Sequence, residues 1–187
     1  MEKPLKEIHS QDHTVWVTQP HELKSIMRRA ETALDVAKVK FFESHGNIEL
    51  VMQTAEAFGR GLYAEFIKKK PKEWTMKQWL EATTKDVLNP LGTGATFTRI
   101  TEKEAQSFMF RSLLQEKSEN QEMASLFTYG FMRGMLKSAF PKGEVLMRST
   151  MVEGAPMSEF IFKVKATEVE RLERERVKHF FAPTMRI

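Results

Sequence analysis

The chain has 187 residues and carries 29 Lys plus Arg against 25 Asp plus Glu, a net charge of +4, so bulk charge does not point to nucleic acid. With 41% hydrophobic residues it can bury a core, and its length fits one domain with an appended segment. It has no cysteine, no apolar run near the ~20 residues that span a bilayer, and no signal-peptide core; this excludes disulfides, thiolate metal sites and a cysteine nucleophile, and fits the cytoplasmic location we expect.

The first twenty residues are polar apart from a short β-type run, Thr14 to Thr18, which reads as an arm with an edge strand. From His21 to about Ser44, apolar residues recur at three and four (Ile26, Met27, Ala30, Leu34, Ala37, Phe41), which predicts an amphipathic helix. His45-Gly46-Asn47 stops that helix and restarts another, with Asn47 as N-cap. The second helix runs to about Lys69 with a stripe at Val51, Ala55, Phe58, Leu62 and Phe66. Gly59 and Gly61 inside it suggest close approach by a backbone or a ligand. Lys68-Lys-Lys-Pro71 ends it, and a third helix follows Thr75 to about Leu88 with Met76, Trp79, Leu80 and Val87 inward.

After the loop Asn89 to Gly94 the period changes to two. Ala95–Ile100 and Ala105–Leu114 read as a hairpin, and Phe97, Phe108, Phe110, Phe160 and Phe162 as aromatics on one sheet face. Helical spacing returns from Glu119 to Phe140. A second hairpin, Glu144–Met151 and Met157–Val164, precedes a charged helix from Thr167 to about His179. The order predicts an α+β fold, a mainly antiparallel sheet of two hairpins packed against several helices, with an N-terminal helical extension. We divide the chain into an arm and helix (1–46), an α+β domain (47–165) and a C-terminal charged helix and tail (166–187).

Catalytic signals are absent. His9 and His13 are four apart, but two ligands make no metal site, and the other histidines are dispersed. Neither a nucleophile elbow nor a phosphate loop is present. Glu56, Glu65, Glu153 and Glu159 read as solvated carboxylates. Lys68 to Lys72 and the arginines of the last helix could contact phosphates, but in that helix glutamates alternate with them, as on an ion-paired surface. We therefore expect no metal, no cofactor and no nucleic-acid partner.

The strongest signal is apolar: 14 Phe and 12 Met against 3 Trp and 2 Tyr. Phe supplies apolar area without a hydroxyl, and Met adapts to irregular shapes. Phe127, Phe131 and Met135 lie at i, i+4 and i+8 beside Gly130 and Gly134, large residues beside gaps. Such a helix makes a groove for another helix or for a ligand; we expect a ligand cavity, with Tyr129 or Arg133 at its mouth.

Phe131-Met-Arg-Gly-Met-Leu-Lys-Ser-Ala-Phe-Pro141 leads into a strand and then Gly154-Ala-Pro-Met-Ser-Glu-Phe160. With Ala57-Phe-Gly-Arg-Gly61 and Leu91-Gly-Thr-Gly-Ala95, this resembles the 4-vinyl reductase domain group, which includes aminothiazoline-carboxylate hydrolase-like proteins and transport-protein-particle subunits that hold an acyl chain. The resemblance covers roughly residues 48–165. It implies a homodimer with an apolar pocket between helices and sheet. Ser158 stands where the group usually has cysteine, so cysteine-based metal binding or catalysis is not available, and we read Ser158 as structural. The expected function is non-enzymatic binding of a small hydrophobic or aromatic ligand against Phe58, Leu62, Trp79, Phe127, Tyr129, Phe131, Met135 and Phe160. The alternatives are a hydrolase- or reductase-like enzyme and a protein-interaction scaffold.

Overall fold

The structure is a computed structural model that describes residues 13–109, 111–114, 121–150, 155 and 157–165. The expected helix after Thr167, His9 and Phe110 lie outside these residues. The first helix, α1 (Pro20–Glu43), starts with proline at its first turn, where no N–H partner is needed. It buries Ala30, Leu34, Ala37 and Phe41 along one stripe. His45 and Gly46, both at positive φ, turn the chain. Asn47 then caps α2 (Ile48–Phe66), its side chain accepting from the Leu50 N–H at 3.1 Å.

Thr75 and Gln78 close a capping box on α3 (Met76–Thr83), which buries Met76, Trp79 and Leu80. A short π-helix, Thr84–Leu88, continues it, so the expected third helix changes its winding for its last five residues. A fourth helix, α4 (Gln121–Ala139), is buried at every position from Met123 to Leu136. It is the centre of the molecule rather than a surface helix.

The sheet has the order β1-β2-β4-β3, with every neighbour antiparallel: β1 (Ala95–Thr98), β2 (Glu104–Met109), β3 (Glu144–Ser149) and β4 (Ser158–Lys163). The two hairpins, joined through β2 and β4, give the α+β architecture expected from the sequence. The arm's β-type run makes one bridge, Thr14 with Phe97, along the β1 edge. Backbone bonds of 2.8 and 3.0 Å hold it there.

Register fixes which side chains meet. Phe97, Ser107 and Phe160 align across three strands, and Ala105 pairs with Phe162. These residues are buried on the helix-covered face, where Trp79 meets Phe162 at 5.4 Å between ring centroids. Phe108 pairs with Thr96 and Glu159 and points the other way. This corrects the expectation of one aromatic face. In β2 the inward positions fall to Ala105, Ser107 and Met109, and strict alternation puts Phe108 outside.

Candidate functional site

Among the described elements, helices α2 and α4 form the most extensive contact, and glycine sets their spacing. A Cβ on Gly59 would collide with the Phe131 carbonyl oxygen, and one on Gly134 with the Glu56 carbonyl oxygen. A Cβ on Gly130 would fall 2.8 Å from that of Ala55. The gap beside Phe127 and Phe131 is therefore filled by the backbone of α2. This corrects the expectation of a ligand cavity along that stripe: small residues let two helices touch main chain to main chain. Gly61, by contrast, has no atom near its Cβ position.

The eight residues expected to line a pocket belong to one hydrophobic cluster. Leu62, Trp79, Phe127, Tyr129, Phe131, Met135 and Phe160 are each no more than 2% exposed, and Phe58 is half-buried. Phe58 bridges Phe127 and Phe131, with centroids at 6.0 and 5.5 Å, and Phe41 of α1 meets Phe127 edge-on at 5.7 Å. Trp79 stands apart from this group, between Phe140 and Phe162. Its indole N–H and the hydroxyls of Thr83, Thr84 and Ser107 are buried without hydrogen-bond partners among the described residues. Ser158 is the first residue of β4, buried opposite Met109.

A charged cluster crosses the same helix pair. Arg133 of α4 meets Glu56 of α2 at 2.7 Å and Glu144 of β3 at 3.1 Å. The second contact is an ion pair whose Nε–H does not aim at the carboxylate as a hydrogen bond would. The Arg133 and Glu144 side chains are only 10% and 5% exposed. Arg60 adds a looser contact to Glu56 at 3.5 Å. Glu56 was expected to be solvated; burial of Arg133 pulls it into an ion cluster. The signal in the sequence was one arginine in an otherwise uncharged run, Ser125 to Leu136.

Among the described residues, two surface grooves flank this core. The smaller, about 390 Å³, lies between α1 and α2 and is lined by Ala33, Val36, Ala57 and Phe58 among others. The larger, about 810 Å³, lies between α1, α3 and the loop after α2. Ile26, Phe66, Trp74 and Ala82 give it an apolar floor. Trp74 Nε1 donates to the Tyr63 hydroxyl at 2.7 Å. Burial raises the Tyr63 pKa above its ordinary value, and that hydrogen bond partly offsets the rise. In the same groove burial raises the Asp86 pKa, helped by Glu22 and opposed by Lys85 and Lys68. Among the described residues, no three His, Asp or Glu side chains are grouped to hold a metal ion. No described helix is long and apolar enough to cross a membrane.

Neither a family model nor a curated protein matches the sequence. The fold is similar to that of a solved structure, a trafficking protein particle complex subunit 3 from Naegleria fowleri, covalently bound to palmitic acid. The match has a TM-score of 0.52 at 17% identity and covers 76% of this chain and 96% of that one. The two chains share a fold. The likeness is to a transport-particle subunit, one member of the group that the sequence resembles.

Proposed function

We propose that the chain is a non-enzymatic, cytoplasmic protein-interaction subunit that pairs with a second copy of itself across α1 and α2. Residues 47–165 form the working domain and residues 1–46 the extension that reaches the partner. The observation that carries this reading is the outward face of α1. Val36 and Val39 are each 57% exposed and Phe42 is 54% exposed. Large apolar side chains clustered on a surface mark an interaction site more often than chance. Val36 also lines the groove against Ala57 and Phe58. A face that carries both projecting side chains and a groove to receive them is self-complementary across a two-fold axis. That the fold neighbour is a subunit of a complex supports the same reading. The test is sizing chromatography with light scattering. We expect a dimer for the wild-type chain and monomers for Val36→Glu/Val39→Glu, with an unchanged circular-dichroism spectrum. A monomeric wild type would overturn the proposal.

A second reading is favoured by the palmitic acid bound to the fold neighbour. Here a small hydrophobic ligand would lie among Phe58, Leu62, Trp79, Phe127, Tyr129, Phe131, Met135 and Phe160. Without a cysteine the chain cannot hold an acyl group as a thioester, so such a ligand is held without that bond. The side chains must then part to admit it, as adaptable Phe and Met packing permits. Native mass spectrometry of the freshly purified protein tests this: a retained mass in the fatty-acid range supports it, and a bare chain counts against it.

A further inference from the structure

The larger groove differs in character from the α1–α2 face. Its wall is the segment between α2 and α3, which includes Lys68-Lys-Lys-Pro-Lys-Glu-Trp74. That segment has no helix or strand, and Ile67 at its start is extended. Among the described residues, no backbone–backbone hydrogen bond outside helices and strands uses residues 68–73. The wall is thus irregular main chain beside an apolar floor.

The charges in the groove are partly spoken for. Lys85 pairs with Glu81 at 2.7 Å. The Lys70 Nζ donates to the Ala64 carbonyl oxygen at 3.0 Å and lies 5.0 Å from the Tyr63 ring centre. Glu22 and Asp86 form the acidic end. Lys68 and Lys69 stand exposed on the lip, Lys68 within electrostatic reach of Asp86, with Lys72 next along the segment. Trp74 is half-buried, with its Nε1 donating to the Tyr63 hydroxyl, whereas Lys68 and Lys69 are exposed.

We propose that this groove docks an extended acidic peptide segment of a partner protein. One bulky apolar side chain would sit on Phe66, Trp74 and Ile26, and its carboxylates would face Lys68 and Lys69. Concavity favours a peptide over a flat lipid surface, because the apolar floor lies between walls that a bilayer cannot enter. The proposal is independent of self-pairing through α1 and α2, since the lysines lie outside that groove.

Fluorescence anisotropy tests it. The probe is a labelled synthetic peptide of Glu and Asp around a central Phe, and the control carries Lys in place of the acids. We expect the wild type to bind the acidic probe and not the basic one. Lys68→Glu/Lys69→Glu should bind about 10-fold more weakly or worse, a change set by charge at the lip. Lys142→Glu, in the turn before β3, should bind normally. Both variants should keep the wild-type circular-dichroism spectrum and elution volume, which separates this result from a failure of the self-pairing reading. Equal binding of the basic peptide, or undiminished binding by the folded double variant, would overturn the proposal. So would a wild type that ignores the acidic peptide but sediments with phosphatidylserine vesicles or binds single-stranded RNA through the same lysines.

Discussion

At the scale of single residues, glycine and one aspartate carry the sharpest consequences. Gly134 lies against the Glu56 carbonyl, and that atom belongs to a helix backbone that cannot step aside. Gly134→Ala should therefore lower stability by about 1–3 kcal/mol, the usual cost of overpacking, in a denaturant titration. An unchanged midpoint would mean that α2 and α4 are not in main-chain contact. Asp86 gives a pH signature. Its folded pKa is raised above 3.8, so the folded state binds the proton more tightly than the unfolded state. Its contribution to stability is then fully present below the unfolded value and is lost as pH rises through the folded one. Asp86→Asn removes the penalty of the buried charge. We expect the variant to melt higher than the wild type near neutral pH and the gain to shrink as pH falls toward 4. A gain that grows in acid would place Asp86 in a stabilising ion pair instead.

At the scale of elements, the Arg133 cluster ties α2, α4 and β3 together. A guanidinium between two carboxylates at low exposure is costly to desolvate, and removing it alone leaves the acids without their cation. Arg133→Met should cost about 3–5 kcal/mol, read from chemical denaturation. Adding Glu56→Gln and Glu144→Gln should recover much of that loss. If Arg133→Met is neutral, the cluster is better solvated than its burial implies. The cluster was legible only as an arginine inside an apolar run. Its partners lie 77 residues upstream and 11 downstream in the sequence, and no local period connects them.

At the scale of the whole molecule, α1 serves two surfaces at once. Its inner stripe, Ala30, Leu34, Ala37 and Phe41, joins the main core, while Val36, Val39 and Phe42 look outward. Deleting residues 1–46 should therefore yield aggregates or monomers on a sizing column, because it uncovers Phe127 and removes the outward face together. A stable, soluble dimer after that deletion would rule out the proposed interface. The sequence by itself determined the element order from α1 to β4, the caps at Asn47 and Thr75, the two hairpins and most of the inward stripes of the helices, Met27 of α1 being exposed. Each of these depends on spacing within a few residues, which backbone geometry converts directly into structure. It did not determine whether the glycine stripe of α4 would receive a ligand or another helix, since both need the same absence of side chain. Nor could it place Phe108 on the outer face, because a one-residue choice of register reverses every side chain in a strand. Those outcomes were decided by tertiary packing, where α2 competes for the space along α4 and fills it with its own backbone.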